Sequence, residues 1–382
     1  MRSYLFVMGV AAAATFVSTF VVRWLARRFG AVVPPDERRV HERPTPTAGG
    51  AAMFLAFLLA MVVASRLPHF RPMFDGSTPL GVILAGTVVF VVGLVDDLRE
   101  MSAPAKLAGQ VLAGSVLSLL GVVMVFFRVP FFDLIGVSSD LAPLATVLWV
   151  VAMANAVNLI DGLDGLAAGV VAIAAGAFFL YGYRLASDEV GLLAINNPAP
   201  LLAAVACGLC VGFLPHNFHP ARIFMGDAGA MLLGLLMAAS TLLVGGSTDT
   251  EFSGQTYFFY APIFIPFFIL GVPIVDTLFA ILRRAVRRTG VAIADRDHLH
   301  YRLERMGHGH RRAVLILWAW TAILSGFVLY PTFTDRGNAV IPFGIAALGV
   351  ALYTLFHPGV RTRTNGDAVL LRSDGPAAPT SG

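Results

Sequence analysis

Long apolar runs separated by short polar segments dominate the chain. Runs of about 20 apolar residues fit the hydrocarbon core of a bilayer as transmembrane helices. The pattern predicts eleven spans, at 4–26, 49–66, 79–96, 104–125, 142–160, 166–184, 199–215, 229–246, 257–282, 313–333 and 338–357. Residues 124–140 are β-prone and contain Pro130, which predicts a short hairpin at the membrane surface and not a span.

Composition supports this interpretation. Of the 382 residues, 57% are hydrophobic and 13% are charged, and the mean hydropathy is +0.77. So little charge cannot cover a soluble protein of this length. We expect an all-α polytopic membrane protein with one integral-membrane domain, 1–357, and a disordered cytoplasmic tail, 358–382. Arginines follow the first apolar run and do not precede it, which favours a retained span over a signal peptide.

The distribution of basic residues predicts the orientation. With eleven spans, one side of the membrane carries 21 of the 27 Lys and Arg residues, when Arg23 and Lys106 at the adjoining span ends are counted with its loops. The positive-inside rule assigns that side to the cytoplasm, with the N-terminus outside and the C-terminus inside. The inner (plasma) membrane is the expected location. The sequence leaves the oligomeric state open, with a homodimer among the options.

Polar residues cluster at the ends of several spans on this same side. They are Asp96 and Asp97, Asp161 and Asp164, Asp227, and His298 and His300. Carboxylates at the edge of a lipid-embedded segment are costly unless they have a function. Because ligand sites in helical bundles form between helices, the pattern predicts one active site at the cytoplasmic face.

The adjacent carboxylates of Asp96 and Asp97 repel each other, so they favour a nearby cation or proton. A divalent metal or a general base is the functional interpretation, and solvation by headgroup water is the structural one. Lys106 lies nine residues after Asp97, and a tight hairpin brings its ammonium back toward both acids. A lysine near two aspartates suits a phosphate, although a lone lysine at this depth can also snorkel to the interface.

The segment 216–229 contains a third acid, Asp227, near the start of a predicted span. Asp227 is either a helix cap or an oxygen ligand for Mg²⁺, which is bound by one or two carboxylates plus phosphates. Arg222 can pair with phosphate, and Phe224 can stack on a base. Two further histidines, His308 and His310, are interpreted as surface residues.

A carboxylate inside the ninth predicted span, Asp276, allows a second class of function. An intramembrane acid is a functional candidate by default, and an ion-coupled transporter would use one. Transporters often contain internal repeats, and this chain shows none. A structural hydrogen bond between helices is the other interpretation of Asp276.

Five ordered motifs within residues 30–315 resemble the polyprenyl-phosphate N-acetylhexosamine-1-phosphate transferases. They are H-x-R-P-T-P-x-x-G-G at 41–50, the Asp96–Asp97 pair with Lys106, N-A-V-N-L-I-D-G-L-D-G at 155–165, N-F-x-P-A-x-x-F-M-G-D at 217–227 and the loop with His298. The resemblance implies transfer of GlcNAc-1-phosphate from UDP-GlcNAc to a polyprenyl phosphate, which gives polyprenyl-diphospho-GlcNAc and UMP. It also implies Mg²⁺, with Mn²⁺ as a substitute, and a cell-envelope glycan as the destination of the product.

The same resemblance implies roles for individual residues. Asp227 looks like the metal ligand, with Asn158 near the metal. Asp96 or Asp97 resembles the group that deprotonates or positions the lipid phosphate, and Lys106 resembles the diphosphate contact. Asp164, with Asp161 supporting it, resembles the uridine pocket, and Phe224 matches a uracil-stacking position. His298, His300 and Arg302 look like contacts to the diphosphate or the sugar, with His298 and His300 among the catalytic residues. Substrate-binding roles are also implied for Asn155 and Arg222.

The loop around His298 indicates the branch of the family. Its sequence D-R-D-H-L-H-Y-R-L at 295–303 looks like the H-L-H-H pattern of the N-acetylglucosamine branch. Tyr301 stands where that pattern has a second adjacent histidine. We therefore expect UDP-GlcNAc as the donor and keep UDP-GalNAc and UDP-MurNAc-pentapeptide as alternatives.

Overall fold

The structure is a computed structural model. It describes residues 1–28, 32–33, 45–128, 134–187, 193–245, 303, 306, 308–334 and 340–356. The α-helices in these ranges are α1 (Arg2–Arg28), α2 (Gly49–Arg66), α3 (Thr78–Leu98), α4 (Ala103–Leu119), α5 (Ala142–Ile160), α6 (Leu166–Leu185), α7 (Ala199–Asn217), α8 (Gly226–Gly245), α9 (His310–Thr334) and α10 (Val340–Phe356). Two antiparallel strand pairs accompany them, β1 (Val32–Val33) with β2 (Thr45–Pro46) and β3 (Phe126–Arg128) with β4 (Leu134–Gly136).

These helices follow the predicted spans. Within the described ranges, eight helices are long and apolar enough to cross a membrane, which confirms an all-α, multi-pass architecture. The pairing of β3 with β4 confirms the hairpin predicted within 124–140. The ninth predicted span, 257–282, and the tail 358–382 lie outside the described residues.

The fourth helix is shorter than predicted, because α4 ends at Leu119 and not at residue 125. Gly121 adopts a left-handed conformation with φ of +95°. The N–H of Val122 donates to the carbonyl of Leu117, and that of Gly121 donates to the carbonyl of Ser118. This Schellman arrangement ends a helix at a glycine whatever the apolar pattern beyond it, so hydropathy alone placed the boundary too late.

Helix α8 forms the centre of the bundle. It packs against α2, α3, α5, α6 and α7. Residues 228–244 contain no charged side chain, and all of them are buried. A helix that is apolar on every face is stable when it is surrounded by other helices. The polar first turn of α8 is therefore held at one end of the bundle, where the ends of its neighbours converge.

Candidate active site

Lys106 joins the acids of two different helices. Its ammonium donates to Asp96 Oδ2 at 3.1 Å and pairs with Asp227 Oδ2. Helix α4 begins only five residues after α3 ends, so the tight turn that the sequence predicted does bring the ammonium back to the carboxylates. The side chains of Lys106 and Asp96 are each only 18% exposed. Partial burial strengthens this charge pairing relative to a fully hydrated one.

Asn158, in the last turn of α5, completes this group. Its amide is assigned so that the nitrogen donates to Asp227 Oδ1 at 3.1 Å and the oxygen accepts from the Lys106 ammonium at 3.0 Å. The assignment follows from the neighbouring charges. The opposite orientation would place the amide oxygen against the Asp227 carboxylate and the amide nitrogen against the Lys106 ammonium. Asp96, Lys106, Asn158 and Asp227 therefore form one polar cluster, which we call the lysine cluster.

Asp97 points to the backbone of α8 instead of to Lys106. Its Oδ1 accepts from the N–H of Asp227 at 2.8 Å, and its Oδ2 accepts from the N–H of Ala228 at 3.2 Å. A carboxylate in this position satisfies N–H groups that have no partner within the helix and opposes the positive end of the helix dipole. Asp97 thus caps the helix that carries Asp227, a role that the sequence had assigned only to Asp227 itself.

The turn before Asp227 depends on glycine. Gly226 has φ of +70°, a conformation that residues with a side chain rarely adopt. A Cβ at this position would lie 2.5 Å from both Asp97 Oδ2 and Thr47 O. The absence of a side chain lets Asp97 approach the first N–H groups of α8.

The oxygen atoms of the lysine cluster suit a divalent cation. Carboxylate oxygens of Asp96 and Asp227 and the amide oxygen of Asn158 converge on one positively charged nitrogen. Oxygen atoms of this type are the ligands of Mg²⁺. The residues expected to hold a metal therefore fit it by chemistry and by mutual proximity.

A second polar cluster lies around Asp164. Asp164 Oδ2 accepts from His219 Nδ1 at 2.8 Å and from the N–H of Ala221 at 3.0 Å. The His219 ring stacks on the ring of His310, with centroids 4.4 Å apart and planes inclined by 28°. We call Asp164, His219 and His310 the histidine cluster. It connects the α5–α6 loop, the α7–α8 loop and the first residue of α9.

The prediction that His308 and His310 are plain surface histidines is wrong. His308 is only 1% exposed, and its Nε2 lies 2.8 Å from the carbonyl oxygen of Thr354. His310 is half-buried and packs on His219. Isolated histidines carry no periodic pattern that reveals such partners, so sequence reasoning could not find these contacts.

Asp161 lies between the two clusters. It follows the last residue of α5 and is half-buried. Burial, and then the nearby carboxylates of Asp97 and Asp164, raise the pKa of Asp161 well above its ordinary value. Along the chain, Asp161 is three residues from Asn158 of the lysine cluster and three residues from Asp164 of the histidine cluster.

Three other predicted site residues occupy different surroundings. Asn155 Nδ2 donates to Gln110 Oε1 at 2.7 Å and to the carbonyl of Val151, so both amide hydrogens are used inside the bundle, which favours a structural role. The backbone of Phe224 bonds to Pro46 and Gly49, which joins the α7–α8 loop to the start of α2. The Arg222 side chain is exposed and has no hydrogen bond or ion pair to another described residue.

Comparison with known proteins identifies the family. Residues 79–245 match glycosyl transferase family 4. A decaprenyl-phosphate N-acetylglucosaminephosphotransferase of Mycolicibacterium smegmatis is 39% identical over 350 residues, which cover 90% of this chain and 86% of the relative. The chain belongs to glycosyl transferase family 4. The resemblance seen in the five motifs is thereby confirmed.

Other members of the family show its range. A probable undecaprenyl-phosphate N-acetylglucosaminyl 1-phosphate transferase of Bacillus subtilis is 36% identical over 82% of this chain and 79% of the relative. A phospho-N-acetylmuramoyl-pentapeptide-transferase of Desulforudis audaxviator is 33% identical over 83% of this chain and 94% of the relative. The names of these relatives describe transferases, and none of them describes a transporter.

Within this family 4 member, the structure brings together most of the acids that the sequence singled out. Asp96, Asp97, Lys106, Asn158 and Asp227 meet at the first turn of α8, and Asp161 and Asp164 lie in the adjoining loop. His298, His300, Tyr301, Arg302 and Asp276 lie outside the described residues, so their expected roles stay predictions.

Proposed function

We propose that this protein transfers GlcNAc-1-phosphate from UDP-GlcNAc to a polyprenyl phosphate. The observation that carries the proposal is the lysine cluster, in a chain with family 4 relatives named for this transfer. An ammonium, two carboxylates and an amide at the end of a helical bundle suit the binding of phosphates together with a cation. The products are polyprenyl-diphospho-GlcNAc and UMP.

The reaction exchanges one phosphorus–oxygen bond for another. An oxygen of the polyprenyl phosphate attacks the phosphorus that bears the sugar. The bond from that phosphorus to the oxygen shared with the uridine-bearing phosphate breaks, and UMP leaves with the electron pair. Catalysis of such a displacement consists largely of positioning the reactants and stabilising the charge on the phosphates.

Mg²⁺ held by Asp227 and the oxygen of Asn158 would neutralise charge on the phosphates, and Mn²⁺ is the substitute we propose. Lys106 supplies a compact positive charge for the diphosphate. Asp96 is the acid that would keep the lipid phosphate deprotonated or hold it in position. Asp97 is less suited to this role, because both of its oxygens accept hydrogen bonds from the backbone of α8. His298, His300 and Arg302 are proposed as further contacts to the diphosphate or the sugar.

We further propose that the site faces the cytoplasm of a bacterial cell, at the plasma membrane. The basic loops and the direct contact among Asp96, Lys106 and Asp227 support this, since a contact requires that these span ends share one side. The orientation is tested with two single-cysteine substitutions, Asp140→Cys and Arg99→Cys. Both positions are exposed; Asp140 lies just before α5 and Arg99 just after α3, so the proposed topology places them on opposite sides of the membrane. An impermeant thiol reagent added to intact cells should label the first and spare the second.

The donor is tested by a screen with the purified full-length protein in lipid nanodiscs. UDP-GlcNAc, UDP-GalNAc and UDP-MurNAc-pentapeptide are each mixed with polyprenyl phosphate, and UMP release and lipid-linked product are measured. We expect turnover with UDP-GlcNAc that ceases on chelation and returns with Mg²⁺. Preference for another donor would show that the proposed donor is wrong while the reaction type is right. A folded protein that releases no UMP with any donor would refute the proposed function.

A further inference from the structure

Gln110 is a buried amide on α4, one helical turn further into the bundle than Lys106. The residue is only 1% exposed, and residues four positions apart lie on the same face of a helix. Its Oε1 accepts a hydrogen bond from Asn155 Nδ2 at 2.7 Å, and its Nε2 donates to Met231 Sδ at 3.3 Å. One side chain of α4 is therefore bonded to both α5 and α8.

The two partners of Gln110 occupy the corresponding turns of their own helices. Asn155 precedes Asn158 by three residues on α5, and Met231 follows Asp227 by four residues on α8. Each residue of this group thus lies one turn, about 5.4 Å along the axis, deeper than a member of the lysine cluster. We call Gln110, Asn155 and Met231 the Gln110 layer.

The Gln110 layer is polar in surroundings that are not. Most side chains of α4 and α5 are apolar, and apolar contacts have no preferred direction. A hydrogen bond between two amides has a preferred length and angle, and a polar residue in an apolar helix contact can fix the register of the helices. The pair of Gln110 with Asn155 therefore constrains the position of α4 along α5 more sharply than the contacts around it.

Neither amide of the pair is placed to bind a substrate through the atoms that form it. Asn155 Nδ2 donates to the carbonyl of Val151 at 2.8 Å as well as to Gln110, so both of its hydrogens are used inside the bundle. Gln110 is sealed from solvent. Any effect of this pair on a reaction must therefore act through the residues one turn above it, Lys106 and Asn158.

We propose that Gln110 and Asn155 are positioning residues for the transfer reaction. Their hydrogen bond sets the register of α4 against α5 and so holds the Lys106 ammonium beside Asn158. This inference rests on the proposed function. The contact between Lys106 and the Asn158 oxygen is 3.0 Å long, and it tolerates little movement because a hydrogen bond weakens steeply with distance. Misplacement of a catalytic group by about 1 Å can lower a rate about 100-fold.

Four variants of the full-length protein in nanodiscs test the inference. Gln110→Met and Asn155→Leu each replace one amide by an apolar side chain of similar size, and a double variant combines both changes. The fourth variant exchanges the two residues, Gln110→Asn with Asn155→Gln, which moves one methylene from α4 to α5 and keeps both amides. Three quantities are measured for each: the melting temperature, its rise on addition of Mg²⁺ with UMP, and kcat for UMP release from UDP-GlcNAc.

Thr146→Val is the matched control, because Thr146 is a buried polar residue of the same helix α5. Its hydroxyl accepts the N–H of Met124 at 2.9 Å and donates to the carbonyl of Ala142 at 2.8 Å. It lies twelve residues before Asn158, at the other end of the helix. We expect the control to lower the melting temperature and to leave kcat unchanged.

We expect each single replacement of the pair to lower kcat at least about tenfold. Each should also lower the melting temperature, because it leaves a buried polar group without its partner. The double variant should recover most of the melting temperature, since both polar groups are gone, while its kcat stays as low as in the single variants. The exchange variant should return kcat to within about threefold of the wild type, as expected of two coupled residues.

The rise in melting temperature caused by Mg²⁺ with UMP should shrink in the same variants that lose kcat. Ligands that bind the folded state stabilise it in proportion to their affinity, and a misplaced lysine cluster binds them less tightly. This readout needs no turnover. A role in stability alone would instead make kcat follow the melting temperature and would restore both in the double variant.

Two results would overturn the inference. One is a wild-type kcat in Gln110→Met or in the double variant, which shows that an apolar layer holds the lysine cluster equally well. The other is a kcat that follows the melting temperature across all variants, Thr146→Val included. Failure of the proposed function is distinguishable, because the wild-type protein would then release no UMP from any donor. The rise in melting temperature with Mg²⁺ and UMP would still report whether the Gln110 layer orders the cluster.

Discussion

Asp97 Oδ1 accepts the backbone N–H of Asp227 at 2.8 Å, across the contact between α3 and the first turn of α8. The neighbouring acid, Asp96, instead accepts from the Lys106 ammonium and from the N–H of Met101. Two consecutive carboxylates therefore have different partners: Asp97 accepts from the first turn of α8, whereas Asp96 accepts from a charged ammonium and from the backbone of its own loop. Their roles in the reaction should differ accordingly.

The capping geometry predicts that Asp97 can be replaced by an isosteric amide more easily than by alanine. Asp97→Asn retains an oxygen that accepts an N–H, whereas Asp97→Ala leaves the first turn of α8 without its cap. Loss of a cap costs about 1 kcal/mol, so the melting temperature should fall more in the alanine variant. UMP release should follow the same order, because Asp227 is displaced when its turn is loosened.

Asp140→Asn provides the control for this comparison, because Asp140 is an exposed acid for which we expect no change. The opposite hypothesis is that Asp97 exchanges a proton with the lipid phosphate. In that case Asp97→Asn would be as inactive as Asp97→Ala, while its melting temperature stayed near that of the wild type. This combination would remove the capping role as the explanation of activity.

The sequence predicted the helices well because each lipid-facing or buried helix must be apolar over most of its length. Such a helix is recognisable as a continuous run of apolar residues in the sequence. It also predicted that the acids share a site, because span ends on one side of the membrane can converge in a helical bundle. The partner of each acid was not predictable. Whether Asp97 contacts Lys106 or the backbone of α8 depends on side-chain direction, and the contact between His219 and His310 joins residues 91 positions apart.

In the proposed mechanism, Lys106 stabilises the diphosphate and also competes with Mg²⁺ for the oxygen atoms of Asp227. Lys106→Gln should therefore lower kcat about 100-fold, since it removes a charge that stabilises the diphosphate. It should also lower the Mg²⁺ concentration that gives half-maximal rate, because the ammonium no longer neutralises Asp227. A Mg²⁺ titration of UMP release after treatment with a chelator measures both quantities.

Arg99→Gln is the matched control for Lys106→Gln. Arg99 is exposed and follows Asp97 by two residues. Its replacement by Gln therefore removes a positive charge near the site without altering a partner of Asp227. We expect its Mg²⁺ requirement to equal that of the wild type. A Lys106→Gln variant with an unaltered Mg²⁺ requirement would show that the ammonium and the metal do not share Asp227.

The raised pKa of Asp161 predicts a pH-dependent contribution to stability. The folded protein holds this proton to a higher pH than the unfolded chain does, so the stabilisation is present at acid pH and is lost as the pH rises through the folded-state pKa. Asp161→Asn removes the titrating group at nearly constant shape. The melting temperature of the variant, relative to that of the wild type, should therefore increase as the pH is raised above about 4, the ordinary carboxyl pKa. A difference that stays flat or narrows over this range would contradict the burial of the charge.

Gly226 offers a test of the turn that places Asp227. Gly226→Ala combines an unfavourable positive φ with a Cβ that would lie 2.5 Å from Asp97 Oδ2 and from Thr47 O. Backbone strain of this kind costs about 1–3 kcal/mol, and relief by movement of the turn displaces Asp227 from Lys106 and Asn158. We expect a lower melting temperature and a loss of UMP release larger than the loss of stability explains. Gly9→Ala is the comparison, because a Cβ at Gly9 has no atom within 4 Å and alanine favours the helix. Equal behaviour of the two variants would mean that the conformation of Gly226 does not control the position of Asp227.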